Sequence, residues 1–386
     1  MPRALLTALV LATCLVTLST GAALKTGCSG DRPDWRSDPC YNDIEPLYVL
    51  RGIDAGTFPY VHARLSADGF GSHGFNEYPV LTGLFMWATG QAVSTAHDYL
   101  LVSIVGLGVC ALLTAALLAR IAGLRALTFA AAPPLALYAF HNWDLLAVAA
   151  ATVGLALWWS GRPRWAAVAF GIGGAFKLYP ILFVVPLVLE QLLRRRNDEA
   201  LRVGACGVAT LVLTNLPFVV AGPLGWWATY RFHETRLPSS SGTVWANAIG
   251  GISTGAENAL SAFALVLALA AISFAFLRGA TGGRAEVFAW CAAVTAALLV
   301  LSKVSSPQYV LWVLPFFAVV RTNLLWWVAL CAVTVVRYWA LFGVGDLGLG
   351  MSTADEVVRL AVYAQAATLT AWAAVITVRM GSLPGP

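Results

Sequence analysis

The chain reads as an all-α protein that crosses a lipid bilayer many times, and three observations predict this class. Hydrophobic residues make up 59% of its 386 positions and charged residues 11%, with a mean hydropathy of +0.75. Soluble domains carry roughly a quarter charged residues. The apolar runs are long and continuous, unlike the alternating segments of about ten residues that build an outer-membrane barrel. Finally, the arginines gather in short joints between those runs, which is how helical membrane proteins mark their cytoplasmic side. The net charge of +5 therefore speaks to topology. It does not point to nucleic acid, since no basic stripe is interleaved with aromatics.

Taken in order, the first element is the apolar run Ala4 to Leu24 behind Arg3. Its small residues from Ser19 to Ala23 would suit a signal peptide. Its length, close to the roughly 20 residues a span needs, favours a retained helix. A polar loop over 25–78 follows, and eight of the chain's 19 acids lie in it: Asp31, Asp34, Asp38, Asp43, Glu45, Asp54, Asp68 and Glu77. Cys28 and Cys40 share this loop, where an oxidising compartment would let them pair; the alternative is two unpaired thiols. The other five cysteines sit in apolar runs as small hydrophobes.

Pro79 to Ser94 is apolar but short, and is expected to lie at or dip into the outer interface. Spans are then predicted near 98–119, 126–141, 143–159, 165–177, 178–193, 203–221, 257–277, 285–302, 308–320, 323–343 and 356–378. The joints between them hold Arg120 and Arg125, Arg162 and Arg164, Arg194 to Arg196 with Arg202, Arg278 with Arg284, and Arg321, with Arg379 at the end. With the first helix this gives about twelve crossings, both termini inside, and one domain over 1–386. Trp165 to Leu193 is bounded by arginines at both ends, so it is expected to be a hairpin of two short helices bent at Lys177 and Pro180.

On this topology the outer side receives the first loop, His141 to Asp144, Lys177, Trp226 to Asn247, Ser302 to Tyr309, and 343–356. Polar chemistry collects there, while the cytoplasmic joints carry arginine and little else. No phosphate-binding glycine loop and no His/Cys set at metal-ligand spacing is present. Carboxylates could recruit Mg2+ or Mn2+, but no paired-acid motif fixes one, so no cofactor is assigned.

Several motifs stand in order along the outer segments. They are Asp43, Tyr48, Gly52 and Pro59-Tyr60; Glu77-Tyr78-Pro79; Asn142-Trp143-Asp144; Lys177-Leu178-Tyr179-Pro180; and Ser306-Pro307-Gln308-Tyr309. In these the chain resembles the polyprenyl-phosphate-sugar-dependent integral membrane glycosyltransferases of the GT-C class. More narrowly, it resembles the actinobacterial α-mannosyltransferases of glycosyltransferase family 87, which add mannose to phosphatidylinositol mannosides and lipomannan. It departs from them at Val80, where the family commonly has a second proline. The resemblance implies a GT-C fold in the cell membrane and an active site on the extracytoplasmic side. It also implies a polyprenyl phosphate sugar as donor, a lipid or glycan acceptor, inversion, and a catalytic carboxylate in the first loop, which maps onto Asp43.

Position alone leaves Asp43 as either a base or a helix-capping or solvated loop residue. Asp34, Asp38, Glu45 and Glu77 are the other candidate carboxylates. The leaving phosphate calls for cations. Lys177 is the first candidate, against snorkelling to the interface. His233, Arg231 and Arg236 come next, His233 being otherwise a satisfied loop histidine. Trp226, Trp227 and Tyr230 beside them suit a headgroup belt. Lys303, near Ser305 and Gln308, is a further phosphate candidate or a second snorkelling lysine. Asp144 is expected to pair with a lysine or arginine. Arg337, deep in a span, needs a partner or an aqueous cavity, and Arg51 is expected in solvent or on headgroups. Tyr48, Tyr60, Tyr78, Tyr179 and Gln308 are read as supporting the site. The competing reading is a lipid or solute transporter, which would spread charges along a route through the bilayer and show pseudo-symmetric halves.

Overall fold

The computed structural model describes residues 2–28, 35–61, 63, 74–237, 243–279 and 283–380. Asp31, Asp34 and Asp68 lie outside them. Every regular element among the described residues is helical. The first, α1 (Arg3–Thr26), is one unbroken helix, and a short helix α2 (Ile44–Leu50) follows in the polar loop. Cys28 and Cys40 form a disulfide, with Cα atoms 5.9 Å apart. Next comes α3 (Val80–Gly90), entered through Pro79 at its N-cap. The long helix α4 (Ala96–Ala122) is joined through a 3-10 turn to α5 (Leu127–Ala130).

Then stand α6 (Pro133–Tyr138), α7 (Asp144–Trp159) and α8 (Pro163–Phe176). A 3-10 turn at Tyr179–Phe183 leads into α9 (Val184–Leu193), followed by α10 (Asn197–Ala221) and α11 (Pro223–Thr235). The chain ends with α12 (Val244–Ala248), α13 (Thr254–Gly279), α14 (Arg284–Leu301), α15 (Leu314–Val319), α16 (Leu325–Phe342) and α17 (Met351–Val378).

Among the described residues, seven helices are long and apolar enough to cross a membrane: α1, α4 continued to Ala130, α10, α13, α14, α16 and α17. Four shorter apolar stretches accompany them: Val80–Gly90, Asp144–Trp159, Tyr179–Leu193 and Pro307–Val319. The expected twelve crossings are thus not reached by length alone. The span expected over 126–141 is corrected outright. The helix from Ala96 runs past the Arg120/Arg125 joint to Ala130, and Pro133 and Pro134 restart the chain as the short α6. Proline lacks the N–H that a continuing helix needs, whatever the hydropathy of the segment. The hairpin expected over 165–193 does break at Lys177, whose backbone is extended (φ −152°, ψ 139°).

The chain divides into two compact units. One comprises Met1–Asn42, Leu112–His141 and Pro238–Pro386, the other Asp43–Ala111 and Asn142–Leu237. In the first, α14 is apolar on nearly every face and is buried, while α17 packs on α14 and α16. Gly21 of α1 sits against the backbone of Ala136 in α6. The Arg125 guanidinium donates to the carbonyls of Phe317 (3.0 Å), Val320 (3.3 Å) and Thr322 (3.4 Å), closing the C-terminal end of α15. In the second unit α8 packs on α7 and α10. Gly154 of α7 leaves the space that the Phe170 ring of α8 fills.

Candidate active site

The polar groups of the second unit converge around one turn, Asn76-Glu77-Tyr78-Pro79. Pro79 holds Tyr78 out of helical geometry and begins α3. The turn is fixed from several directions. Asn76 Oδ1 accepts the Tyr78 N–H at 2.9 Å, and the Tyr60 hydroxyl donates to the carbonyls of Tyr78 (2.9 Å) and Pro79 (3.0 Å). Tyr60 itself is fully buried and takes φ +72°, a conformation rare for a bulky side chain. From α11, Thr229 Oγ1 donates to the Asn76 carbonyl at 2.7 Å, and the imidazole of His233 lies 2.9 Å from the Glu77 carbonyl. A carbonyl only accepts, so Nε2 carries the proton.

Asp43 sits at the N-cap of α2, yet its side chain makes no capping hydrogen bond. Its Oδ2 instead accepts from Asn142 Nδ2 at 2.8 Å, and the same nitrogen donates to the Tyr78 hydroxyl at 2.7 Å. Asn142 Oδ1 takes the Trp143 N–H at 2.5 Å. One residue further, Asp144 opens α7, where a helix N-terminus favours negative charge. It is fully buried, and its Oδ1 pairs with Lys177 Nζ at 2.7 Å. That ammonium also lies 5.5 Å from the centre of the Tyr78 ring. The break in the chain at Lys177 is what turns the lysine toward α7, and the pairing expected for Asp144 is present. Asp43, Asn142, Tyr78, Lys177 and Asp144 therefore form one cluster.

On the other side of the turn, Glu77 is held bidentately by Arg51, Nε to Oε2 at 2.6 Å and Nη2 to Oε1 at 2.9 Å. The guanidinium lies 5.0 Å from the Phe75 ring centre. Arg51 is thus a paired, largely buried residue and not the solvent or headgroup contact expected from the sequence. Glu77 is thus tied to a cation, Arg51.

Arg231 and His233 do not lie in a loop but on the helix α11, and Arg236 follows its last residue in a non-helical conformation (φ −56°, ψ 131°). Arg231 pairs with Glu234 at 2.7 Å on the exposed face, away from the turn. Burial pushes the His233 imidazole below its ordinary value. Arg236 and Lys177 add to that against the Glu77 carbonyl and charge. A neutral ring follows, bound to backbone. Tyr48 is buried against Tyr99, with ring centres 4.9 Å apart, and donates to the Val93 carbonyl at 3.1 Å. Tyr179 packs edge-on against Phe183. Glu45 lies 3.5 Å from His97, and Asp38 Oδ1 accepts the Cys40 N–H at 2.9 Å in the other unit.

Lys303 and Gln308 also belong to that other unit, Lys303 partly exposed and Gln308 buried. Arg337 finds its partners there, donating to the Ser305 carbonyl and to Gln365 Oε1, each at 3.1 Å. Sequence reasoning missed the buried Lys25, whose Nζ donates to the Tyr41 carbonyl at 2.6 Å and the Tyr338 hydroxyl at 2.9 Å. A lysine at the end of a span ordinarily signals the interface, so nothing in the sequence marked it. The Asn142 amide was legible only as part of a motif.

A helical chain with several apolar spans, holding a carboxylate, an amide, a phenol and a paired lysine in one cluster, is an integral membrane protein equipped for polar chemistry. The chain belongs to glycosyltransferase family 87, whose profile matches residues 76–307, more than half of its length. This places it in the GT-C class of membrane glycosyltransferases expected from its motifs. The match begins after Asp43 and includes Tyr78, Asn142 and Lys177. Among solved structures, the chain is similar to ArnT from Cupriavidus metallidurans bound to undecaprenyl phosphate. The identity is 16% and the TM-score 0.48, over 97% of this chain and 77% of that one. It is similar also to the Archaeoglobus fulgidus oligosaccharyltransferase in the apo form, at 10% identity and a TM-score of 0.45, over 98% of this chain and 56% of that one. No curated protein matches.

Proposed function

We propose that this membrane glycosyltransferase moves a sugar, mannose by its resemblance within the family, from a polyprenyl phosphate to a hydroxyl of a lipid or glycan acceptor. The reaction runs on the extracytoplasmic face of the cell membrane and inverts the anomeric centre. The acceptor oxygen bonds to the anomeric carbon from the face opposite the phosphate. The bond from that carbon to the phosphate oxygen breaks, its electron pair leaves with the polyprenyl phosphate, and the acceptor proton passes to the Asp43 carboxylate.

The observation that carries this reading is the engagement of Asp43. It stands at a helix start without capping it, and is held by an amide shared with Tyr78. Charge developing on the departing phosphate calls for a cation in a low-dielectric setting. Lys177 is suited to this by its place in the cluster, paired with Asp144 and 5.5 Å from the centre of the Tyr78 ring. His233, neutral and committed to the Glu77 carbonyl, serves the turn instead. Membership of a glycosyltransferase family displaces the transporter reading.

The test is Asp43→Asn in the full chain, assayed for mannose transfer from a polyprenyl phosphate mannose to phosphatidylinositol mannoside. Loss of a positioned base costs about 10²–10⁴-fold. A fall of that size with unchanged expression is expected, and undiminished transfer would remove Asp43 from the reaction.

A further inference from the structure

We infer that Asn142 is a positioning residue for the reaction: its amide holds the Asp43 carboxylate in one orientation and favours its ionised form. The inference rests on the base reading above. Asn142 is 2% exposed, and its hydrogen bonds are distributed in a way that fixes the amide. Because Oδ1 receives the Trp143 N–H, the side chain cannot flip, and Nδ2 must face Asp43 and Tyr78. Each of the two hydrogens on Nδ2 then has an acceptor, one a carboxylate oxygen and the other a phenol oxygen. A donor in a poorly hydrated setting stabilises the charged carboxylate over its acid.

The shape of the site excludes the simplest alternatives. An aspartate here would retain the acceptor for Trp143 but offer no donor, and a serine would offer a single hydrogen for two acceptors. Among the described residues, the charged or titratable groups tied to this contact include the Tyr78 phenol, the Lys177–Asp144 pair beside its ring and the Arg51–Glu77 pair on the preceding residue.

The experiment reads the protonation of Asp43 without any substrate. Infrared spectra of the full chain in detergent are titrated with pH, and the carboxylic C=O band absent from Asp43→Asn is followed in wild type, Asn142→Ala and Asn142→Asp. The midpoint is expected to rise by about one pH unit in Asn142→Ala, where the donor is lost. In Asn142→Asp it should rise further, because a second carboxylate shares the site. This variant keeps the acceptor for the Trp143 N–H. An unmoved midpoint in both variants would overturn the role of Asn142. The acid limb of the transfer rate should follow the same displacement. If the band moves and the rate profile does not, Asp43 is not the base, and the functional reading falls with the role built on it.

Discussion

His233 is a residue for which the neutral ring is the stable one. Burial lowers its pKa, Arg236 and Lys177 lower it further, and the Glu77 carbonyl and charge only partly oppose them. An unfolded histidine titrates near 6.5. Between that value and the lower folded one the unfolded chain binds more protons, so stability rises with pH there. The contribution is complete above about pH 6.5 and is lost as pH falls toward the folded value. Thermal unfolding in detergent should therefore show wild type losing more stability than His233→Gln between about pH 7.5 and 5.5. Parallel losses would show that the imidazole is not buried as described. The sequence placed His233 among polar outer residues and assigned it to the donor. Its partner is a main-chain carbonyl 156 residues earlier, and no composition or spacing marks such a contact.

At the scale of elements, the turn under Asp43 depends on how closely α11 approaches Tyr60. A Cβ at Gly225 would overlap the Tyr60 carbonyl oxygen, and one at Gly222 would meet the backbone of Val61. The obstacle at Gly225 is main chain, already held at a positive φ, so it cannot swing aside. Gly225→Ala is expected to cost about 1–3 kcal/mol, the usual range for overpacking. Gly108→Ala meets nothing within 4 Å and lies inside α4. That control should be neutral or slightly stabilising, by about 0.5–1 kcal/mol. Equal melting temperatures for the two variants would contradict the close approach. Helix existence was largely legible because apolar runs of this length have few other solutions in a membrane. Helix continuity was not: hydropathy counts apolar side chains, whereas Pro133, Pro134 and the extended Lys177 act through the backbone. The polar, aromatic segment from Trp226 was taken for a loop because its helix buries few residues and its anchors are distant in sequence.

For the molecule as a whole, the arrangement of charge predicts orientation. The positive-inside rule predicts arginine-rich joints on the cytoplasmic side, and the segments that carry Asp43, Lys177 and His233 are proposed to lie on the other. With the free cysteines replaced, a cysteine at Thr235 should react with a membrane-impermeant maleimide added outside intact cells, and one at Ser160 only after the membrane is opened. Both positions are exposed. Labelling of both from the same side would contradict the proposed topology, and the exchanged pattern would reverse it. The motifs identified the family and brought Asp43, Tyr78, Asn142, Asp144 and Lys177 to attention, while the grouping of those residues into a cluster required the fold.

Sequence separation within each unit also sets a schedule for biosynthesis. Asp43 and the amide that holds it are 99 residues apart. At about 5–20 residues per second, a ribosome needs roughly 5–20 seconds to supply the second after the first. The Glu77 carbonyl waits longer, for an imidazole 156 residues downstream. Cys28 and Cys40 are separated by only 12 positions, so oxidation is the earliest durable tie open to the nascent loop. The disulfide of the first unit can thus close before the two longer-range ties of the second, first the amide and then the imidazole of α11.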